Sequence, residues 1–165
     1  PLGSTSMNLL TRTISIVYVI ALTSVIAFSL FAGAVVAPVI FNSSSWLGES
    51  VLNRFQEGLM MTEVFVRLSY PLIAVCLVSL AYELWSYWKK DSDWIALVSM
   101  SLMVGTGLLF GFYFIPEILH LQSQGAVVTQ SPVFASIHKT SEICFKITVL
   151  SGLVLVFRNI LKMNR

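Results

Sequence analysis

The sequence predicts an all-α fold, an antiparallel four-helix transmembrane bundle, on three observations. Of its 165 residues, 56% are hydrophobic and 11% charged, and the mean hydropathy is +0.84. A soluble domain carries about 25% charged residues to hydrate its surface, so this chain has too little polar material for such a shell. Its apolar residues also fall in four long runs, which suit helices, rather than in alternating segments of about ten residues, which suit a barrel. Finally, short polar connectors separate the runs. Neighbouring helices are therefore antiparallel, and both termini lie on one side of the membrane. Within lipid, each helix satisfies its own backbone hydrogen bonds.

Residues 1–6 read as an expression scar before Met7, which leaves residues 7–165 as a single integral-membrane domain. Arg12 precedes the apolar stretch Ile14–Phe41, as in a signal peptide, but the stretch is too long and lacks a persuasive cleavage context. An uncleaved first helix from Thr13 to about Val39 is the better reading. Its Ala32, Gly33 and Ala34 would admit a close neighbour, and Pro38 disfavours straight continuation. Asn42–Ser45 is turn-like, and Leu47–Phe55 suits a short interfacial helix. Glu49, Arg54 and Glu57 have the spacing of an exposed amphipathic surface.

A second helix from Gly58 to Trp88 exceeds the roughly 20 residues needed to cross hydrocarbon, so it must tilt or project. Pro71 is expected to bend it. The connector Lys89–Asp93 is bracketed by Trp85, Tyr87, Trp88 and Trp94, the pattern of an interfacial aromatic belt. The third helix runs from about Trp94 through Ile115, with Gly105, Gly107 and Gly111 permitting close packing. Pro116 marks a bend or an exit from the hydrocarbon, and Glu117–Gln124 is expected to continue helically outside. Ala126–Pro132 is extended or turn-like, and the last helix runs from about Val133 to Leu161. Cys76 and Cys144 lie in apolar segments and suit core packing better than a disulfide. No internal repeat and no independent soluble domain emerge from the sequence.

Charge asymmetry sets the expected orientation. Arg12, Lys89, Lys90, Arg158, Lys162 and Arg165 fall on the side of the termini, against mainly Arg54 and Lys139 opposite. The positive-inside rule then predicts cytoplasmic termini, in a bacterial inner membrane.

The antiparallel path brings Glu63, Arg67, Glu117, His120, His138, Glu142 and Lys146 toward the noncytoplasmic face. Ionisable groups near hydrocarbon require hydration, pairing or a ligand, which makes this a candidate polar site. Glu117 and His120 form a Glu-x-x-His arrangement, and His138 precedes Glu142 by one turn. These four residues offer nitrogen and oxygen ligands to a transition-metal ion such as zinc, iron or copper. A bundle di-iron site would need two Glu-x-x-His motifs, and only one is present. Glu63, Arg67 and Lys146 complete a polar network in which i,i+4 ion pairing is an equally good reading for Glu63–Arg67 and Glu142–Lys146. Interfacial placement for His120 and helix capping for His138 are the ordinary alternatives to ligation.

The segments Phe31–Phe41, Phe112–Gln124 and Ser131–His138 resemble the transmembrane-protein-205-like family of unknown function, most closely at Pro38, Pro116 and His138. The resemblance covers most of the chain. It implies a four-helix membrane domain, with a distant link to copper-resistance membrane proteins, and supplies no catalytic constellation to carry over.

Binding or handling of a metal ion at the noncytoplasmic face is the leading functional expectation. A structural or partner-binding role, in a homodimer or with another membrane protein, stands beside it. Transport and haem-linked redox chemistry rank below these. The sequence contains no nucleotide-binding loop, no convincing Ser/His/Asp triad, no thiol pair and no basic domain for nucleic acid. Membrane lipids are the expected surroundings.

Overall fold

The computed structural model describes residues 2–48, 51–89 and 93–163, with side chains placed from Leu9 onward. Glu49, Lys90, Asp91, Ser92 and Arg165, which enter the amphipathic, connector and charge arguments above, lie outside the described residues. Four helices are long and apolar enough to cross a membrane: Leu9–Phe41, Arg54–Trp88, Trp94–Ser123 and Pro132–Met163. Among the described residues there is no strand, and the chain is an all-α four-helix membrane bundle. Each span packs against two others, first on second, second on third, third on fourth and fourth back on first. The bundle thus has two ends. The terminal end holds Leu9, Trp88, Asp93 and Met163, and the loop end holds Phe41, Arg54, Ser123 and Pro132.

Several boundaries differ from expectation for local reasons. The first helix already begins at Leu2. The second span starts at Arg54 rather than Gly58, because Asn53 caps it reciprocally with Gln56: the Asn53 side chain accepts from the Gln56 amide at 2.9 Å, and the Gln56 side chain accepts from the Asn53 amide at 3.0 Å. The turn-like Asn42–Ser45 and the interfacial helix over Leu47–Phe55 give way to a short helix over Ser43–Leu47. It ends at Gly48, whose φ of 73° lies in the left-handed region.

Pro38 and Pro116 do not end their helices. Each follows a five-residue π-helical turn, Ala32–Val36 in the first span and Phe110–Phe114 in the third. The Ala37 amide bonds the Ala32 carbonyl, and the Ile115 amide bonds the Phe110 carbonyl. This wider spacing makes room for the pyrrolidine ring and for the carbonyl that proline cannot satisfy. The helices therefore run on to Phe41 and Ser123. Both turns carry the pattern Gly-x-x-x-x-Pro, Gly33 to Pro38 and Gly111 to Pro116, a local similarity that hydropathy does not reveal.

The core joins Leu22 and Ile26, Leu72 and Cys76, Met103, and Leu155 from the four spans in turn, all nearly or fully buried. Phe65 meets Phe110 and Phe145 edge-on, with centroids 5.7 and 5.1 Å away. Small residues set the closest helix approaches. A Cβ added at Gly107 would lie 2.7 Å from Cys76 Sγ, one at Gly111 the same distance from Ile73, and one at Gly152 would run into Ile26. Cys76 and Cys144 are buried free thiols, and Cys144 Sγ donates to the Thr106 carbonyl at 3.2 Å. Thr106 and Thr148 hydroxyls meet at 2.8 Å across the third and fourth spans. Trp88 and Trp94 are exposed at the terminal end, where the belt was expected, and Lys89 Nζ sits 3.9 Å above the Trp85 ring.

Candidate functional site

At the loop end, the capped start of the second span is tied to the end of the first. Ser43 Oγ donates to Glu57 Oε1 at 2.6 Å, and Arg54 Nη1 lies 3.4 Å from Glu57 Oε2. The Arg54 guanidinium also covers the Phe41 ring at 4.4 Å. Ser43 and Glu57 are both buried, so this cross-link closes the corner between the two spans. On the other side, Gln122 Nε2 donates to Thr62 Oγ1 at 2.9 Å, joining the third span to the second. Gln122 Oε1 is buried and has no hydrogen-bond partner among the described residues. Such an atom calls for water or a ligand donor.

Gln122 lines a cavity of about 290 Å³ beneath these caps, together with Arg54, Phe55, Thr129, Phe134 and Ser141. A second space, of about 630 Å³, lies between the first and fourth spans. Ser29, Gly33 and Ala37 form one wall of this groove, and Glu142, Lys146 and Leu150 form the other. The two cavities share Phe41, Met61, Phe65 and His138. The small wall residues keep the groove wide: a Cβ added at Gly33 would meet nothing within 4 Å.

His138 stacks on Phe134 one turn earlier, with ring centroids 5.9 Å apart and planes 7° from parallel. Its side chain lines both cavities. Glu142 pairs with Lys146 at 2.6 Å, and Glu63 with Arg67 at 2.7 Å, each within its own helix and exposed. Only the Glu142–Lys146 pair lines the groove. His120 is exposed, with Nε2 3.2 Å from Gln124 Nε2, and Glu117 is half-buried just after Pro116; neither lines a cavity. Among the described residues, no three His, Cys, Asp or Glu side chains gather as ligands for a metal ion. The seven expected polar residues therefore occupy one half of the bundle as separate local groups, of which His138, Glu142 and Lys146 border the same groove.

The most enclosed polar cluster lies at the other end and has no counterpart in the sequence reading. Glu83 is fully buried. Its Oε1 accepts from Asn159 Nδ2 at 2.7 Å and from the Tyr18 hydroxyl at 3.4 Å. Its Oε2 lies 3.7 Å from Lys162 Nζ, inside ion-pair range but beyond a hydrogen bond. Ser79, one turn earlier and also fully buried, has a hydroxyl with no partner among the described residues. Tyr18 stacks on Tyr82 at 4.0 Å, and Tyr82 donates to Ser15 at 2.8 Å. Beside the cluster, Arg158 pairs with Asp93, its Nε donating to Oδ2 at 3.0 Å. Burial pushes the Asp93 carboxyl up, but hydrogen bonds from Arg158 and the Ala96 amide, with the positive charges of Arg158 and Lys162, hold it below its ordinary value. A sequence signal did exist: Leu72, Cys76, Ser79, Glu83 and Ser86 recur at three- and four-residue steps, which puts Glu83 on the buried stripe.

The family model DUF4149, a domain of unknown function, matches residues 16–127, which take in the first three spans nearly whole. No link to copper-resistance membrane proteins accompanies that match. No curated protein and no solved structure matches the chain.

Proposed function

We propose that this chain, which belongs to the DUF4149 family, binds a lipid or lipid-like amphiphile at the loop end of its bundle. The observation that carries this reading is the junction of the two cavities at Phe41, Met61, Phe65 and His138. The groove is mostly apolar and lies between two spans, where an acyl chain fits. The smaller cavity offers Gln122 Oε1, which lacks a partner, and the imidazole of His138, where a polar headgroup fits. Ligand sites generally combine an apolar lining with a few convergent polar groups in this way. The charge bias of the connectors puts this end on the noncytoplasmic face in our reading.

Gly33→Leu tests the proposal directly. Space at Gly33 is open, so the variant is expected to fold while its side chain fills the groove. Native mass spectrometry from lipid nanodiscs should show an amphiphile retained by wild type and lost from Gly33→Leu. Equal retention by both proteins would sink the proposal.

A second reading rests on a different observation. Glu63 and Arg67 are exposed on the second span about 14 and 20 Å from its start, at the helical rise of about 1.5 Å per residue. Charges at that depth are costly against lipid chains, so a partner helix or a second copy covering this face is favoured. Crosslinking from position 63 in native membranes would detect it, and monomers alone would rule it out. Transition-metal handling by His120, His138, Glu117 and Glu142 rests on sequence spacing alone. Metal analysis of the purified protein would decide it.

A further inference from the structure

We propose that the cluster around Glu83 is a proton-binding site, separate from the amphiphile cavities and open to exchange with the terminal side of the membrane. Among the described residues, three buried polar atoms lack hydrogen-bond partners there: Glu83 Oε2, Ser79 Oγ and Lys162 Nζ. All three lie in one cluster. Ser79 and Glu83 share a helix face one turn apart, and Lys162 reaches Glu83 from the fourth span. One water molecule donating to Glu83 Oε2 and accepting from Lys162 Nζ, with Ser79 Oγ as its third partner, would satisfy the set.

The surrounding groups leave the carboxylate unevenly served. The first span contributes Tyr18, and the fourth contributes Asn159 and Lys162. The start of the third contributes Asp93, whose charge is already engaged by Arg158, and the second span itself adds Tyr82 through its stack on Tyr18. Oε1 has two donors, whereas Oε2 has only a cation at a distance too long for a hydrogen bond. A carboxylate served on one oxygen has an open position for a proton on the other. In the proposed step a hydronium ion from the terminal side gives its proton to Oε2. An O–H bond forms on Glu83, one O–H bond of the hydronium breaks, and water remains. The site gains one positive charge while Lys162 stays an ammonium. Release is the reverse. The Lys162 stem is partly exposed above its buried Nζ and lies one residue from the end of its helix, which gives the proton a short route to solvent.

Infrared difference spectra of the full-length protein in phosphatidylcholine vesicles, recorded against pH, read this step as a carboxylic-acid carbonyl band. Wild type should show a band that grows on acidification and is missing from Glu83→Gln. Identical spectra for the two proteins would overturn the proposal. Lys162→Met provides a second arm that keeps Glu83 and does not depend on the folding of Glu83→Gln. Loss of the ammonium should move the midpoint of the band toward higher pH by about one unit, a tenfold gain in proton affinity. An unmoved midpoint in a folded Lys162→Met protein would also overturn it.

Discussion

The two ends of this bundle place their charged pairs differently. At the terminal end, Glu83 is held by side chains from the first and fourth spans, and Asp93 is bound to Arg158 on the neighbouring span. At the loop end, Ser43–Glu57 and Gln122–Thr62 bridge elements, but the ion pairs Glu63–Arg67 and Glu142–Lys146 are exposed and stay within single helices, and His138 and Gln122 border open space. Interactions that bridge helices fix helix positions, whereas pairs within one helix leave its neighbours free to separate. The terminal end is therefore expected to carry stability, and the loop end to tolerate change in return for room.

The largest test is Asn159→Leu. It removes the shortest hydrogen bond to the buried Glu83 carboxylate and leaves that charge poorly solvated. We expect a loss of about 2–3 kcal/mol, seen as a lower unfolding temperature in detergent micelles. A loss no larger than that of a loop-end variant would break the comparison. Gly152→Ala comes next, because its new methyl would intrude on Ile26 where the first and fourth spans cross. Overpacking of this kind costs about 1–3 kcal/mol and should appear in the same melt.

Acidification offers a smaller effect. The folded Asp93 carboxyl is held below its ordinary value, so its pairing with Arg158 contributes fully above about pH 4. That contribution fades as the pH falls through the lowered folded value. Because both partners are partly exposed, it is worth about 1 kcal/mol or less. Asp93→Asn should flatten this part of the stability–pH curve, and a curve of unchanged shape would remove the assignment. The smallest stability effect belongs to His138→Ala, about 0.5 kcal/mol or less, since the ring is exposed. The same variant should nevertheless lose bound amphiphile measurably in native mass spectrometry, and a large drop in folded yield with full retention would reverse the roles given to the two ends.

Hydropathy and length made the four crossings legible, because a run such as Ile14–Phe41 has few alternatives in any solvent. The i,i+4 pairs Glu63–Arg67 and Glu142–Lys146 were equally readable, since their partners are fixed by local helix geometry. Glu83 was hidden by its neighbours: flanked by Tyr82 and Trp85, it looks interfacial, and its partners Tyr18 and Asn159 are distant in sequence. The course of the first helix past Pro38 was hidden too, and so were both π-turns, because proline is an ordinary stop signal and a π-turn leaves no hydropathy trace.

Those π-turns also act on helix phase. A π-turn accommodates roughly one residue more than the α-helix it interrupts, and a single residue advances an α-helix by about 100°. Everything beyond Val36 in the first span is therefore rotated from the azimuth that the preceding turns would dictate. Phe41, the last residue of that span, owes its place on the wall shared by both cavities to this rotation. Deleting one residue between Ala32 and Val36 would leave an apolar segment of almost the same length while swinging Phe41 away, so the two chambers would change their connection with hardly any change in composition.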